Sequence, residues 1–170
     1  MSEPRILVIL GSARGDGNTR RAVDRLCERL GPEVTIVDLS ERAVAPFRYG
    51  DAERDDDFLG IIEQMLAHER IVFATPVYWY AMSGVMKTFF DRITDLLMDE
   101  GKRPLARSLA GRRVWLLASG TGDALPTGFQ EPFAGTAAYL GMDWQDAFYV
   151  RAADEAETAP IDTLALSLRA

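Results

Sequence analysis

Apolar residues are distributed along the chain in two alternating patterns. Short, nearly unbroken runs rich in β-branched residues occur at Ile6–Leu10, Val34–Asp38, Arg70–Thr75, Val114–Ser119 and Trp144–Val150. Runs of this length and composition predict buried strands. Between them, apolar residues recur three and four positions apart, which marks one face of a helix. Thr19–Leu30 carries Ala22, Val23, Leu26, Cys27 and Leu30 on one stripe, and Gly31-Pro32 stops it. Asp57–His68 turns Phe58, Ile61, Ile62, Met65 and Leu66 inward, with Asp55, Asp56 and Asp57 at its start, where capping acids are favoured. Ser83–Met98 presents Val85, Met86, Phe89, Phe90, Ile93, Leu96 and Leu97. Phe129–Leu140 is a weaker helical pattern because it contains Pro132 and Gly135, and Pro160–Leu168 ends the series with Pro160 in its first turn. Leu39–Asp57 has no period and reads as a long loop, a feature that is often functional in a compact domain. Asp99–Arg112 reads as a polar connection that turns at Gly101.

Strands separated by helices predict a single α/β domain over residues 1–170, with a parallel sheet, right-handed crossovers and helices on both faces. In such folds ligands sit beyond the carboxyl ends of the strands, where the strand order reverses. With the order 2-1-3-4-5, the loops after strands one, three and four build the site. Those loops, GSARGDGNT, PVYWYAM and SGTGDALPTG, have the most unusual compositions in the chain.

Composition narrows the chemistry. No apolar run approaches 18 residues, so no membrane span is expected. Met1–Arg5 is too short and polar for a signal peptide, and the expected location is cytoplasmic. The net charge of −7 argues against nucleic acid as a partner, because backbone phosphates call for a basic patch. One cysteine, Cys27, excludes an internal disulfide and a four-cysteine metal or cluster site, and one histidine, His68, excludes a multi-histidine metal centre. No metal site is expected.

In the first loop, Gly11, Gly15 and Gly17 let the backbone curl round an anion. Ser12, Asn18 and Thr19 add short donors, Asn18 or Thr19 is placed to cap the helix, and Arg14 adds charge and a forked donor. The glycines and polar groups exceed what a plain strand–helix turn requires, so phosphate binding is the favoured reading. The nucleotide fingerprints fail on spacing. There is no Gly-Lys-Ser/Thr, and Arg20 stands where G-x-G-x-x-G needs its last glycine. The second loop places Tyr78, Trp79 and Tyr80 directly after a buried strand. Three consecutive aromatics cannot all enter a core. They suit a wall beside a flat ring, with a subunit contact or a hydrophobic plug as the alternatives. The third loop, Ser119-Gly120-Thr121-Gly122-Asp123, is a weak signal by itself. Elsewhere the bland reading wins. His68 caps a helix end, Cys27 and Trp115 are core, Asp51–Asp57 is a solvated helix start, and Lys87 and Asp91 pair on a helix surface.

Taken together, the three loops give the sequence a resemblance to the NADPH-dependent FMN reductase group of the flavodoxin-like superfamily. The resemblance is carried by GSARGDGNT, TPVYWYAMSGVMKTFFDR and SGTGD, and it covers residues 5 to 123. The stretch DDDFLGIIEQMLAHERIVFATPVYW is also similar to the iron–sulfur flavoprotein branch. That branch carries its cluster cysteines in the loop corresponding to Ala45–Asp57. Here APFRYGDAERDDD has none, which rules a cluster out.

The resemblance implies a flavodoxin-like three-layer sandwich that binds FMN. Ser12, Arg14, Gly17, Asn18 and Thr19 would hold the phosphate. Pro76, Val77, Tyr78, Trp79 and Met82 would line the isoalloxazine, with backbone amides at its polar edge, and Ser119, Gly120 and Thr121 would close the other side. It also implies NAD(P)H as cosubstrate, hydride transfer through FMN to a small acceptor (a quinone, a nitro or azo compound, or free flavin), and a homodimer or homotetramer. Flavin chemistry requires no side-chain base for hydride transfer. Tyr78 and Tyr80 are the candidate proton or hydrogen-bond donors to a quinone oxygen. A flavodoxin-like electron carrier without nicotinamide turnover, or a non-redox nucleotide-binding module, would use the same fold. No motif distinguishes NADPH from NADH.

Overall fold

A computed structural model describes residues 5–50, 54–152 and 158–170. The expectation for the first four residues, and the part of the acidic run at 51–53, lie outside the described residues. Five strands form one sheet in the order β2-β1-β3-β4-β5: β1 (Ile6–Leu10), β2 (Val34–Asp38), β3 (Arg70–Pro76), β4 (Arg113–Gly120) and β5 (Asp143–Arg151). Every pairing is parallel. The helices are α1 (Asn18–Leu30), α2 (Phe58–Ala67), α3 (Gly84–Met98), α4 (Arg103–Arg107), α5 (Glu131–Tyr139) and α6 (Ala159–Arg169). No helix among the described residues is long and apolar enough to cross a membrane.

Successive strand residues point to opposite faces, so each central strand contributes to two cores. Leu7, Ile9, Ile71, Phe73, Val114 and Leu116 pack with α2, α3 and α5 on one face. Ile6, Val8, Leu10, Val72, Trp115 and Leu117 pack with α1 and α6 on the other. This is the expected three-layer flavodoxin-like arrangement. Trp115 is fully buried, and its indole N–H donates to Ser167 Oγ at 2.9 Å. The last strand carries an irregularity. Val114 is opposite Trp144 but Trp115 is opposite Asp146, so Gln145 is an extra residue on β5.

The polar connection after α3 contains a short helix, α4, with Pro104 in its first turn. The long loop after β2 opens with a 3-10 turn at Leu39–Glu41, in which Asp38 Oδ1 accepts from both the amide and the hydroxyl of Ser40. The acidic start of α2 differs from the solvated cap that its composition suggests. Asp57 does not cap the helix; its carboxylate accepts from Ala43 N at 2.8 Å. Asp56 accepts from Ala45 N at 3.1 Å and from Phe58 N at 3.1 Å, and pairs with Arg92 of α3. Arg92 is 2% exposed, and its Nε also donates to Asp95 at 2.5 Å. A buried guanidinium between two carboxylates thus ties the loop to α3. Burial alone would raise the Asp56 carboxyl; the Arg92 bond and the two amides overcome it and hold the carboxyl below its usual range.

Cys27 is half-buried rather than fully in the core, and burial pushes its thiol up. His68 sits at the α2 C-cap, with its ring nitrogens against Gln64 O (2.7 Å) and Thr35 Oγ1 (3.0 Å), which is a structural role. Lys87 and Asp91 pair on the α3 surface.

Candidate functional site

The carboxyl ends of β1, β3 and β4 surround a cavity of about 330 Å3. Eleven of the thirteen residues expected to hold the cofactor line it. Ser12, Arg14, Gly17, Asn18 and Thr19 come from the loop after β1 and the first turn of α1. Pro76, Val77 and Tyr78 come from the end of β3 and the turn beyond it, and Ser119, Gly120 and Thr121 from the end of β4. Ala152, just after β5, completes the lining. A small apolar residue after an edge strand carries no chemical mark, so only the topology could have suggested it.

The glycine loop runs directly into the first turn of α1. Helix α1 begins at Asn18 with Gly17 as its N-cap, and among the described residues no side chain caps it. The caps expected from Asn18 or Thr19 are absent because the helix already begins at Asn18, which puts both residues inside its first turn and leaves the cap position to Gly17. Asn18 Oδ1 accepts from Arg21 at 3.4 Å, and Thr19 Oγ1 lies 2.7 Å from Ser119 Oγ. The first-turn amides therefore face the cavity without a side-chain acceptor, at the positive end of the helix dipole. Arg14 stands over the loop, with its side chain 71% exposed and Asp16 at 3.9 Å. Beneath the loop, Asp38 is buried; its Oδ2 has no hydrogen bond among the described residues, lies 3.7 Å from Arg20, and would be 3.8 Å from a Cβ at Gly15.

Two close approaches fix the loops relative to one another. A Cβ on Gly11 would meet the Cβ of Met86 at 2.8 Å, so β1 and α3 touch through glycine. Ser83, the N-cap of α3, accepts from Met86 N at 3.0 Å and donates to Gly11 O at 2.6 Å, while its own amide donates to Thr75 Oγ1 at 3.2 Å. On the other side, a Cβ on Gly120 would lie 2.8 Å from the Tyr149 hydroxyl, which donates to Gly122 O.

The aromatic loop forms a two-residue turn closed by reciprocal bonds, Tyr78 N to Ala81 O at 2.9 Å and Ala81 N to Tyr78 O at 3.0 Å. The central residues, Trp79 (φ 50°) and Tyr80 (φ 66°), are both left-handed, a conformation that normally selects Asn-Gly. Their side chains project outward, 94% and 79% exposed. The structure therefore does not place Trp79 in the cavity wall, and Met82 packs against the α2–α3 core instead. Of the two tyrosines, only Tyr78 borders the cavity. The Val77 and Tyr78 amides, expected at a ring edge, are committed to Ser119 O (2.7 Å) and Ala81 O.

The donor set fits a flavin mononucleotide. Uncapped amides, an arginine and two hydroxyls suit a phosphate dianion, and Tyr78 and Gly120 both border the space beside them.

Residues 4–141 match the family of NADPH-dependent FMN reductases. The Bacillus subtilis protein YwqN, provisionally described as an NAD(P)H-dependent FMN-containing oxidoreductase, is 29% identical over 68% of this chain. YdeQ of the same organism, named as an NAD(P)H oxidoreductase, is 35% identical over 54% of the chain. These alignments span 66% and 41% of the two relatives. The Trp repressor binding protein of Bacillus subtilis shares the fold, with a TM-score of 0.74, 23% identity and 96% of each chain covered. The chain belongs to the NADPH-dependent FMN reductase family.

Proposed function

We propose that this member of the NADPH-dependent FMN reductases is an FMN-dependent NAD(P)H oxidoreductase that reduces a small acceptor such as a quinone, a nitro or azo compound, or free flavin. The observation that carries the reading is the uncapped start of α1, which faces a cavity shared with Arg14, Thr19, Tyr78 and Gly120. The descriptions of YwqN and YdeQ support it. Bound FMN would supply hydride chemistry, taking two electrons from a nicotinamide and passing them to the acceptor.

The chain's own part is to bind, orient and shield. Ser12, Thr19, the α1 amides and the Arg14 guanidinium donate to phosphate oxygens. Pro76, Val77 and Tyr78 bound the ring on one side, and Ser119, Gly120 and Thr121 on the other. The Tyr78 hydroxyl is the donor placed to hydrogen-bond an acceptor oxygen. Tyr80 is too far outside the lining to share that role. The exposed Trp79 and Tyr80 rings support a homodimer or homotetramer with this edge of the site near a subunit contact.

The test is the visible spectrum of the purified protein, followed by steady-state assay. Flavin bands near ~450 nm, released on denaturation as FMN, together with NAD(P)H oxidation by a quinone, are expected. FMN bound without turnover would favour an electron carrier whose net charge of −7 suits basic partners. Refusal of added FMN would overturn both readings.

A further inference from the structure

Adjoining the cavity is a groove of about 650 Å3. Tyr78 lines both spaces. The groove walls are mostly apolar, with Leu39 and Val44 from the loop after β2 facing Val85 and Phe89 of α3. Arg42 is its one charged lining residue. The chain has 26 acidic and 19 basic residues, yet among the described residues Arg42 makes no ion pair.

This wall is built rather than loose. Arg42 N donates to Leu39 O at 3.3 Å, and the next residue, Ala43, is held by the Asp57 carboxylate at 2.8 Å. Two residues further on, Ala45 is gripped through its amide by Asp56 and through its carbonyl by Arg92 at 2.9 Å. The guanidinium is therefore presented on an anchored backbone. A cation at the rim of an apolar slot recognises one kind of ligand well: a flat, largely apolar molecule with a single anionic group. The ring displaces water from the walls, and the lowered polarity strengthens the charge contact.

We propose that this groove is the electron-acceptor site, and that the acceptor is a planar aromatic or quinonoid molecule bearing a carboxylate, sulfonate or phosphate that pairs with Arg42. The proposal rests on the oxidoreductase reading, because the groove meets the proposed flavin site at Tyr78. It narrows that reading from small acceptors in general to anionic planar ones.

The experiment compares naphthoquinone sulfonate with menadione, its uncharged counterpart. Equilibrium dialysis against the purified protein without NAD(P)H separates binding from turnover. The ratio of the two affinities, sulfonated over uncharged, is expected to fall about tenfold in Arg42→Gln and to be largely restored in Arg42→Lys. A ratio unchanged in Arg42→Gln overturns the proposal. So does failure of naphthoquinone sulfonate to bind, including failure because sedimentation shows the groove closed between two copies. NAD(P)H oxidation is measured in parallel. Arg42-dependent binding with no turnover of either quinone defeats the oxidoreductase reading while supporting the groove's ligand class. Turnover of menadione with an Arg42-independent ratio does the reverse.

Discussion

The hydroxyls of Thr19 and Ser119, one hundred residues apart in sequence, lie 2.7 Å from each other in a buried contact. It joins the first turn of α1 to the end of β4 and so sets the width of the cavity between them. Thr19→Val keeps the side-chain shape but leaves the Ser119 hydroxyl buried without its partner. The expected cost is about 1–3 kcal/mol of stability, with weaker FMN binding. Ser119→Ala should act similarly. The double variant should lose less than the sum of the two, with a coupling of about 0.5–1.5 kcal/mol in urea denaturation. Strict additivity would show that the two hydroxyls do not interact.

Among the described residues, Arg14 has one ion-pair contact, the long one to Asp16 at 3.9 Å, and both side chains are exposed. Removing it should leave the fold intact and act on the ligand. Arg14→Ala is expected to weaken FMN by about 1.5–3 kcal/mol, the range for a charge-assisted hydrogen bond. Arg14→Lys should fall between, because an ammonium cannot fork across two phosphate oxygens. Titration of the FMN-free protein, followed by flavin fluorescence, measures both. An affinity untouched by Arg14→Ala would remove it from the phosphate site.

Trp79 and Tyr80 occupy left-handed backbone that bulky residues disfavour by about 1–2 kcal/mol each. Replacing the pair with the turn formers Asn and Gly should raise stability by about 1–3 kcal/mol, seen as a higher urea midpoint. The same variant is expected to lose whatever the exposed rings bind, whether a second copy or an aromatic ligand. If the midpoint stays the same or falls, the turn stores no strain.

The Asp56–Arg92–Asp95 cluster predicts a pH response. The Asp56 carboxyl is held below its ordinary value, so its contribution to stability is present above about pH 4 and fades as pH falls through the lower, folded-state value. Wild type should therefore lose more stability between about pH 5 and 2 than Asp56→Asn does. At neutral pH, Asp56→Ala should cost about 3–5 kcal/mol, because it strips a carboxylate from a buried guanidinium. Parallel urea titrations across that pH range decide it, and parallel curves for the two proteins would count against the assignment.

The strands were readable because each is a dense apolar run, whereas the order 2-1-3-4-5 was a premise that the sheet itself supplies. The first and third loops were readable because glycines and short polar residues clustered where topology puts a ligand. Arg92 was not, since an arginine three residues before an aspartate on a helix looks like a surface pair. Only the return of the loop through Asp56 buries it. The direction of Trp79 was equally hidden. Aromatic side chains favour strands, and nothing in Tyr78-Trp79-Tyr80 announces a left-handed turn that swings the middle ring away from the cavity.

The extra residue on β5 has a consequence for assembly. An exposed sheet edge offers unpaired amides and carbonyls on which another chain's strand can grow. On β5 that template is broken at Gln145, next to the exposed Asp146, with exposed Asp143 at its start. An incoming strand would lose register at the bulge and meet carboxylates on both sides of it. The long outer edge of β5 is thereby a poor template for fibrillar growth.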